Sequence, residues 1–385
     1  METDLDTTHM DNTFQANEDL RLLKTTVIYG ANASGKTNLI AAALAFCRFI
    51  VNSTDLKKDD PIECYKPFKL DKSFRTQPSS FKIAFLGNDN IKYQYEFSLN
   101  KKKVLSEELT YYPNGIEVKL FTRKPPVIEL GEGFLDKNVT KKVLENRLFL
   151  SEAANNLGDE QMGSLYSYFK KIEFWNVMDN IARLSKKVSE IYANDSRLAQ
   201  KLSQLIKVCD TKIEMTLIRE RDESEFKLPN DLSADIKQNI ITQNKYGIKT
   251  FHQVQGIAVE TQAFELTEES EGTQILYALG GLILKQFETG GVIFFDEFNN
   301  SLHPKLCRFL IRLFHNPKSN PKNTQLIFAT HETTLLDNSL FRKDQIWFTE
   351  KNKFGETELF SASDFNAPKF DAQPLMKEIE FIYGT

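Results

Sequence analysis

The chain has 385 residues, of which 41% are hydrophobic, and a formal net charge of −4. A chain of this length and composition can bury one large core, or form one α/β domain plus an insertion, and its net charge gives no polycationic surface that would indicate constitutive nucleic-acid binding. Four cysteines without C-x-x-C spacing favour reduced thiols over a disulfide frame or a zinc site. We recognise no apolar run of membrane-spanning length and no secretory signal, so we expect a soluble, cytoplasmic protein.

A phosphate-loop pattern, G-x-x-x-x-G-K-[ST], lies near the start of the chain at residues 30–37. An apolar strand candidate at 26–29 precedes it, and an apolar helix candidate at 39–50 follows. Such a turn points backbone N–H groups and the positive helix end at a polyphosphate. The sequence therefore predicts binding of a nucleoside triphosphate, whereas the alternative is a plain tight turn. The phosphate-binding candidates are Gly30, Ala31, Asn32, Ala33, Ser34, Gly35, Lys36, Thr37 and Asn38.

Two acids end a second apolar run, at residues 291–297. The carboxyl end of a buried parallel strand is where open α/β sheets bind ligands. We expect Asp296, together with the Thr37 hydroxyl, to hold Mg²⁺, and Glu297 to activate the attacking water as a general base. Alone, the two acids could simply end a strand. Downstream of a phosphate loop with Lys36 at the terminal phosphates, they predict the second nucleotide motif.

Three further elements fit the same site. Ser270 and Gly272 open an apolar helix, where free N–H groups favour a γ-phosphate, although a capped helix start is the alternative. Residues 299–304, beginning with Asn299, follow the acids. His331 closes a buried strand candidate at 325–330, and a neutral imidazole there could bond the γ-phosphate and sense its loss. A single histidine at a strand end is otherwise incidental.

The pattern along the chain divides it into four parts. Alternating apolar residues between 81 and 121, separated by turn residues, predict an antiparallel meander, and the three lysines at 101–103 fall in one of its turns. From 267 to 348 helix and strand candidates alternate, as in a parallel α/β sheet. The expected parts are a loose polar tail at 1–20, the first part of the core with the meander at 21–155, a projecting helical insertion at 156–245, and the second part of the core at 246–385.

The order of these motifs resembles that of the ATP-binding-cassette (ABC) ATPases. The sequence is similar to their soluble branch, which includes SMC proteins and OLD-family ATPases. Within that branch it resembles the RloA/AbiL-type AAA-family ATP-binding proteins of bacterial anti-phage abortive infection. The residues that carry this narrower resemblance are 29–38, 67–70, 270–273, 296–304, 330–337 and 342–348.

The resemblance implies an α/β fold of the P-loop NTPase class and ABC-ATPase type, with a mixed parallel and antiparallel sheet and a helical insertion. It implies ATP and Mg²⁺ as cofactors, with Glu297, His331 and Lys36 as catalytic residues. It further implies a homodimer or higher oligomer, in which Ser270 and Gly272 of one subunit meet the nucleotide held by another. The implied output is control of a separate effector protein, a nuclease; a nucleic-acid partner stays open, and no membrane partner is expected.

The sequence departs from the family pattern in two places. No counterpart of the usual first strand is recognised before Leu22, which is consistent with a late or shortened start. The segment 337–385 is too short for the nuclease domain of the OLD branch. Gln77 is either the Q-loop residue or a turn glutamine. The alternative functions are an SMC-like DNA repair or maintenance ATPase, a transporter's nucleotide-binding subunit, and a scaffold that binds ATP without hydrolysing it.

Overall fold

The computed structural model describes residues 1–18, 20–137, 142–176, 181–229, 231–255, 260–298 and 302–365. Up to residue 176 the elements are β1 (Thr13–Gln15), β2 (Arg21–Leu23), β3 (Thr25–Tyr29), α1 (Lys36–Asn52), β4 (Ser79–Leu86), β5 (Lys92–Leu99), β6 (Val104–Tyr112), β7 (Val118–Lys124), β8 (Val127–Leu130), α2 (Phe149–Asn155), α3 (Glu160–Lys170) and β9 (Glu173–Asn176). The remaining elements are α4 (Ile181–Tyr192), α5 (Ser196–Cys209), β10 (Ile213–Glu220), α6 (Ala234–Gln243), β11 (Tyr246–Gln253), β12 (Thr261–Glu265), α7 (Glu271–Thr289), β13 (Val292–Asp296), α8 (Pro304–His315), β14 (Gln325–Ala329), β15 (Ile346–Lys351) and β16 (Thr357–Ser361).

A six-stranded sheet with the order β16-β15-β3-β14-β13-β9 forms the centre of the molecule. Its neighbouring strands are parallel except for the β15–β16 pair. Every residue of β3 is buried, as expected for a β-branched and aromatic strand covered on both faces. Because Ala329 pairs with Ile28 and Phe295 pairs with Phe328, the strands β3, β14 and β13 end together at one edge.

A five-stranded antiparallel meander, β4 to β8, lies where the alternating pattern predicted one. Its inner residues pack with α1, α2 and α3 in a second hydrophobic core. Glu107 on β6, which is buried, joins the meander to α2 because it accepts hydrogen bonds from the N–H groups of Phe149 (2.8 Å) and Leu150 (3.0 Å) and from Arg123 (3.1 Å). The carboxylate thus compensates both a buried cation and a helix N-terminus.

The expected helical insertion at 156–245 does not project from the core. β9 joins the central sheet as the edge strand beside β13, and α4 and α5 pack against α7. The helices approach so closely that a Cβ added to Gly281 of α7 would lie 2.4 Å from Cγ1 of Val188 on α4. The amphipathic pattern shows that these helices must bury one side but does not show which surface they cover. β10, β11 and β12 form a separate three-stranded sheet.

Residues 1–20 are also not the loose tail that their polarity suggested. β1 pairs with β2, with Thr13 opposite Leu23, so a strand does precede Leu22. Asn12 is 4% exposed and donates hydrogen bonds to the Leu340 carbonyl (2.9 Å) and to Gln345 Oε1 (2.7 Å). These partners lie far along the chain, and a polar segment that is bonded in this way gives no local sequence signal.

Helix α1 corrects the expectation that no run reaches membrane-spanning length. By length and composition alone, residues 36–55 could cross a membrane. Phe46, Phe49 and Ile50 are nevertheless buried in the core that α1 shares with the meander. The helix also begins directly after the phosphate loop, so in this structure it packs as a core helix between the loop and the meander.

Candidate functional site

The phosphate loop, residues 30–37, connects β3 to α1 at the carboxyl edge of the central sheet. Ala33 (φ 66°) and Gly35 (φ 115°) adopt left-handed backbone conformations that turn the chain sharply into the helix. Gly35 is the N-cap of α1, and no side chain caps this end. The first N–H groups of α1 therefore have no capping side chain, which is the arrangement in which a helix N-terminus receives an anion.

Lys36 is half-buried, and its Nζ donates hydrogen bonds to the carbonyls of Gly30 (2.6 Å) and Ala31 (2.9 Å). Burial lowers the pKa of this ammonium group, while the charges of Asp296 and Glu297 act in the opposite direction. The predicted acid pair thus lies within electrostatic range of the phosphate-loop lysine.

Asp296 ends β13 and is 5% exposed, and its Oδ1 has no hydrogen-bond partner among the described residues. A buried carboxylate oxygen without a partner is uncommon, and it is the donor type that Mg²⁺ prefers. Thr37, the second residue of α1, is exposed. No group of three or more His, Cys, Asp or Glu side chains forms a metal site within the described ranges. The residues therefore fit a Mg²⁺ ion that takes few protein ligands and completes its shell with phosphate oxygens and water.

Glu297 follows β13 with φ 55°, a left-handed conformation that is costly for a residue with a Cβ. The next residue, Phe298, is fully buried, and its N–H donates to the carbonyl of Ala329 at the end of β14 (3.1 Å). The surrounding structure therefore holds the Glu297 turn against the neighbouring strand. Strained residues at such positions are typical of functional sites.

His331 is exposed and follows β14 by two residues. The N–H of Thr330, just before it, donates to the carbonyl of Ile28 on β3 (3.1 Å). Since β14 lies between β3 and β13, His331 leaves the sheet at the edge where Lys36 and Glu297 lie. The structure thus brings the phosphate loop, the acid pair and this histidine to one edge.

The serine–glycine corner (Ser270 and Gly272) forms the start of α7. Ser270 is exposed and is the N-cap, because its Oγ accepts a hydrogen bond from the N–H of Thr273 (3.2 Å). A Cβ added to Gly272 would meet no atom closer than 3.8 Å. The Thr273 hydroxyl donates to Asp210 at the end of α5 (3.1 Å). Among the described residues nothing encloses the corner, so it is an open surface feature of this part of the chain.

A histidine without an evident role in the sequence supports this corner. Nε2 of His252 on β11 lies 2.7 Å from Oε1 of Glu269, the residue before Ser270. Glu269 also accepts a hydrogen bond from the hydroxyl of Thr250 on β11. The three-stranded sheet thus holds the start of α7 through one carboxylate. No sequence spacing indicates this contact, because β11 and Glu269 are separated by a complete strand.

The structure also reveals two threonines that the sequence did not identify. Oγ1 of Thr349 on β15 lies 2.7 Å from Oγ of Ser34, and Oγ1 of Thr357 on β16 donates to the Ser34 carbonyl (3.0 Å). Thr349 directly follows the segment 342–348, which carried part of the family resemblance. That adjacency is the only sequence signal, and it does not indicate a contact with the loop.

The remaining candidates have local roles. Gln77 lies in a turn, in which its N–H donates to Phe74 O (3.1 Å) and its carbonyl accepts from the Tyr65 hydroxyl (3.1 Å). His303 caps α8, with Nδ1 accepting from the N–H of Lys305 (3.2 Å). Asn299, Asn300 and Ser301, which begin the candidate segment 299–304 after the acids, lie outside the described residues.

Solved structures of other proteins are similar to this chain at low sequence identity. The chain is similar to the SMC head domain from Thermotoga maritima (14% identity, 89% of this chain and 92% of that chain, TM-score 0.39). It is similar to RecF-ATP, the recombination mediator protein of the RecFOR pathway (13% identity, 88% of this chain and 93% of that chain, TM-score 0.31). It is also similar to cbiO1 from Clostridium perfringens, part of the ABC transporter complex cbiONQ (11% identity, 96% of this chain and 92% of that chain, TM-score 0.30). No curated protein sequence matches this chain.

One family model covers most of the sequence. It is described as "AAA domain, putative AbiEii toxin, Type IV TA system", and it matches residues 25–337. This range includes the phosphate loop, the serine–glycine corner, the acid pair and His331. The expected α/β fold of the P-loop NTPase class, with a mixed parallel and antiparallel sheet, is confirmed. The chain belongs to this AAA domain family.

Proposed function

We propose that this protein is a Mg²⁺-dependent ATPase in which ATP joins two copies of the chain, and that this association controls a separate nuclease effector in anti-phage abortive infection. One observation carries the proposal. The phosphate loop with Lys36 and the acid pair lie at the same edge of the central sheet, where β3 and β13 end, while the serine–glycine corner is exposed at the start of α7. The first group can hold and cleave a triphosphate, and the second can receive one from another copy.

Each residue at the sheet edge has a distinct role in this proposal. The backbone from Gly30 to Asn38 surrounds the phosphates, and Lys36 binds the terminal ones in place of its present carbonyl partners. Thr37 and Asp296 would hold Mg²⁺, which would neutralise phosphate charge. Glu297, held by its strained turn, accepts the proton of the attacking water. His331 donates a hydrogen bond to the γ-phosphate and loses that partner after hydrolysis.

The open serine–glycine corner supports the proposed dimer. The protein bonds of Ser270 stay within the first turn of α7, and the space beside Gly272 is open. The N–H groups there can bond to a γ-phosphate presented by a second copy, so that nucleotide would join the two subunits. Hydrolysis removes this bridge and loosens the interface.

The defence role rests on resemblance and family. Residues 296–304 and 330–337 resemble the abortive-infection ATPases, and the family description names a putative toxin of a toxin–antitoxin system. An ATPase that changes its association state can act as a switch for an effector bound to one of the two states.

The central test is the mass of Glu297→Gln in solution. This variant keeps the size of the side chain but removes the base, so bound ATP should persist. With ATP and Mg²⁺, light scattering should give twice the 44.3 kDa mass of one chain. The double variant with Glu297→Gln and Ser270→Arg should keep the mass of one chain under the same conditions. A Glu297→Gln protein that binds ATP without changing its mass would refute the dimer.

The effector requires a separate experiment. The protein should be purified together with the product of the neighbouring gene and assayed for nuclease activity with and without ATP. Wild type and Glu297→Gln should differ in that activity, and Lys36→Ala should lose phage resistance in cells. Unchanged plating of phage on the Lys36→Ala strain would exclude the defence role while leaving the ATPase intact as a proposal.

A basic cavity supports a second candidate, a DNA-engaging ATPase. The cavity has a volume of about 670 Å³ at the β5–β6 turn, and its charged lining comprises Lys58, Arg75, Lys101, Lys102 and Lys103 against Asp59 and Glu145. Duplex DNA binding that weakens steeply with salt and stimulates hydrolysis would favour this function. Replacing the lysines at 101–103 by alanine should then reduce the salt slope by up to about three. Salt-independent or absent DNA binding would eliminate it.

A further inference from the structure

We propose that Thr349 and Thr357, on the C-terminal hairpin (β15–β16), are positioning residues that hold the phosphate loop in its nucleotide-binding shape. The inference deepens the proposed function, since it concerns the same nucleotide site. It assigns part of the affinity for the triphosphate to two side chains that lie outside every motif of the site.

Thr349 fixes the loop through the Ser34 side chain. Thr349 is 1% exposed and Ser34 is 5% exposed, so water does not compete for their hydroxyls. The Thr349 hydroxyl donates to the carbonyl of Tyr29, the last residue of β3 (3.3 Å), which leaves its oxygen to accept from Ser34 Oγ at 2.7 Å. A chain of two hydrogen bonds therefore joins the middle of the loop to the strand from which it starts.

Thr357 fixes the same residue through its backbone. Its hydroxyl donates to the Ser34 carbonyl at 3.0 Å. Ser34 is thus bonded from two strands, its side chain to β15 and its carbonyl to β16. Because β15 pairs with β3 in the central sheet, the hairpin that provides both contacts has a fixed position relative to the loop.

The two motif glycines show how closely these threonines approach. A Cβ added to Gly30 would lie 2.4 Å from Oγ1 of Thr349, and a Cβ added to Gly35 would lie 2.2 Å from Oγ1 of Thr357. Both distances are too short for any side chain. The hairpin threonines therefore occupy the space beside both glycines of the G-x-x-x-x-G pattern and define the path of the backbone between them.

This path matters because the loop binds phosphate through its N–H groups. A loop already held in the bound shape loses less conformational freedom when nucleotide arrives. Loss of one net hydrogen bond should weaken binding about five- to tenfold if the loop must then be ordered by the ligand. The threonines do not contact the reacting atoms in this proposal, so the rate at saturating ATP should stay nearly unchanged.

The test compares valine and serine at each position. Thr357→Val and Thr349→Val keep the shape but remove the hydroxyl. Thr349→Val should raise the Kd and KM for ATP·Mg²⁺ about five- to tenfold with little change in kcat. Thr357→Val should raise both in the same direction but by a smaller factor, because Thr357 is exposed and water can replace its hydroxyl. Thr357→Ser and Thr349→Ser restore the hydroxyl and should restore binding. Glu358→Gln is the matched control, because Glu358 is exposed and its side chain points to the opposite face of β16.

Hydrogen exchange of the nucleotide-free protein separates this inference from the proposed function. Peptides covering residues 30–37 should exchange faster in both valine variants than in wild type or Glu358→Gln. Faster exchange in a protein that binds no ATP would support the positioning role and refute the ATPase. Loop exchange that stays at the wild-type rate in both valine variants would overturn the inference, as would valine variants that bind ATP with wild-type affinity or serine variants that do not restore binding.

Discussion

Lys36 illustrates how one side chain depends on groups from three elements. It starts α1, bonds two carbonyls of the loop that follows β3, and lies within the field of the two acids that end β13. In the proposed site it is the main cation at the phosphates. Lys36→Ala should therefore weaken ATP binding by at least about 100-fold, since charge-assisted bonds to phosphate are lost. Calorimetric titration measures the effect, and Lys212→Ala, which removes an exposed lysine at the start of β10, should bind as wild type does.

His315 predicts a pH dependence of stability. It is 7% exposed at the end of α8, with Nε2 2.8 Å from the Thr25 hydroxyl. Burial, with a smaller contribution from the charge of Lys24, lowers its pKa from 6.5 to about 3. The unfolded chain takes up this proton below its own pKa and the folded chain does not. The contribution of the neutral, buried His315 to the free energy of unfolding is therefore complete above pH 6.5, and it is lost as the pH falls from 6.5 towards 3.

Denaturant unfolding between pH 7 and pH 5 tests this dependence. Because of this residue, the free energy of unfolding of the wild type should fall by about 2 kcal/mol between pH 7 and pH 5, at about 1.4 kcal/mol per pH unit below 6.5. His315→Gln should begin less stable and show a smaller loss over the same range. His303→Gln, which changes an exposed histidine, should keep the wild-type slope. Equal slopes for wild type and His315→Gln would refute the assignment.

At the scale of elements, the close contact between α7 and α4 determines where the expected insertion lies. A Cβ at Gly281 would meet Val188 at 2.4 Å, so Gly281→Ala must push the helices apart. We expect a loss of about 1–3 kcal/mol in the free energy of unfolding. The control is Gly163→Ala in α3, where an added Cβ meets no atom within 4 Å. In that variant the free energy of unfolding should rise by up to about 1 kcal/mol, because alanine has a higher helix propensity than glycine.

Urea denaturation of the two alanine variants measures the difference directly. If Gly281→Ala and Gly163→Ala change stability by the same amount, α4 does not pack on α7 as described, and the segment 156–245 would again be a candidate for an independent projection. The comparison is informative because both variants add the same methyl group to a helical glycine.

At the scale of the whole molecule, the proposed dimer contains two composite sites, and this predicts complementation. Lys36→Ala lacks a working phosphate loop, and Ser270→Arg blocks the serine–glycine corner, so each protein alone should be inactive. A heterodimer of the two contains one intact site. Neither variant alone can form an ATP bridge in this proposal, so the heterodimer is the dimer that should form, and an equal mixture should recover up to about half of wild-type ATPase activity if the sites act independently.

The contradicting result is a mixture that remains as inactive as its components. A mixture of Lys36→Ala with the double variant carrying both changes should also remain inactive, because no pairing of these chains yields an intact site. That control distinguishes true complementation from contaminating activity.

Contiguous residues carry most of the site's chemistry, and these could be predicted. The phosphate loop, the acid pair and the serine–glycine corner each combine residue types with a strand end or a helix start that local periodicity reveals. The parallel sheet that places the loop and the acids at one edge also follows from alternating helix and strand candidates. The helices of 156–245 were visible in the same way, but their packing partners were not.

The amino-acid sequence by itself determined the phosphate-loop motif, the membership in an AAA-type family and the class of fold, because backbone conformation and side-chain chemistry act over a few neighbouring residues. Only the tertiary structure decided that β1 pairs beside β2, that β9 completes the sheet, that His252 supports Glu269, and that Thr349 and Thr357 hold Ser34. Each of these contacts joins two segments that are far apart in the sequence, and the local sequence of neither segment indicates the other. Their energy appears only when folding has closed the chain between them and removed water from the shared surface.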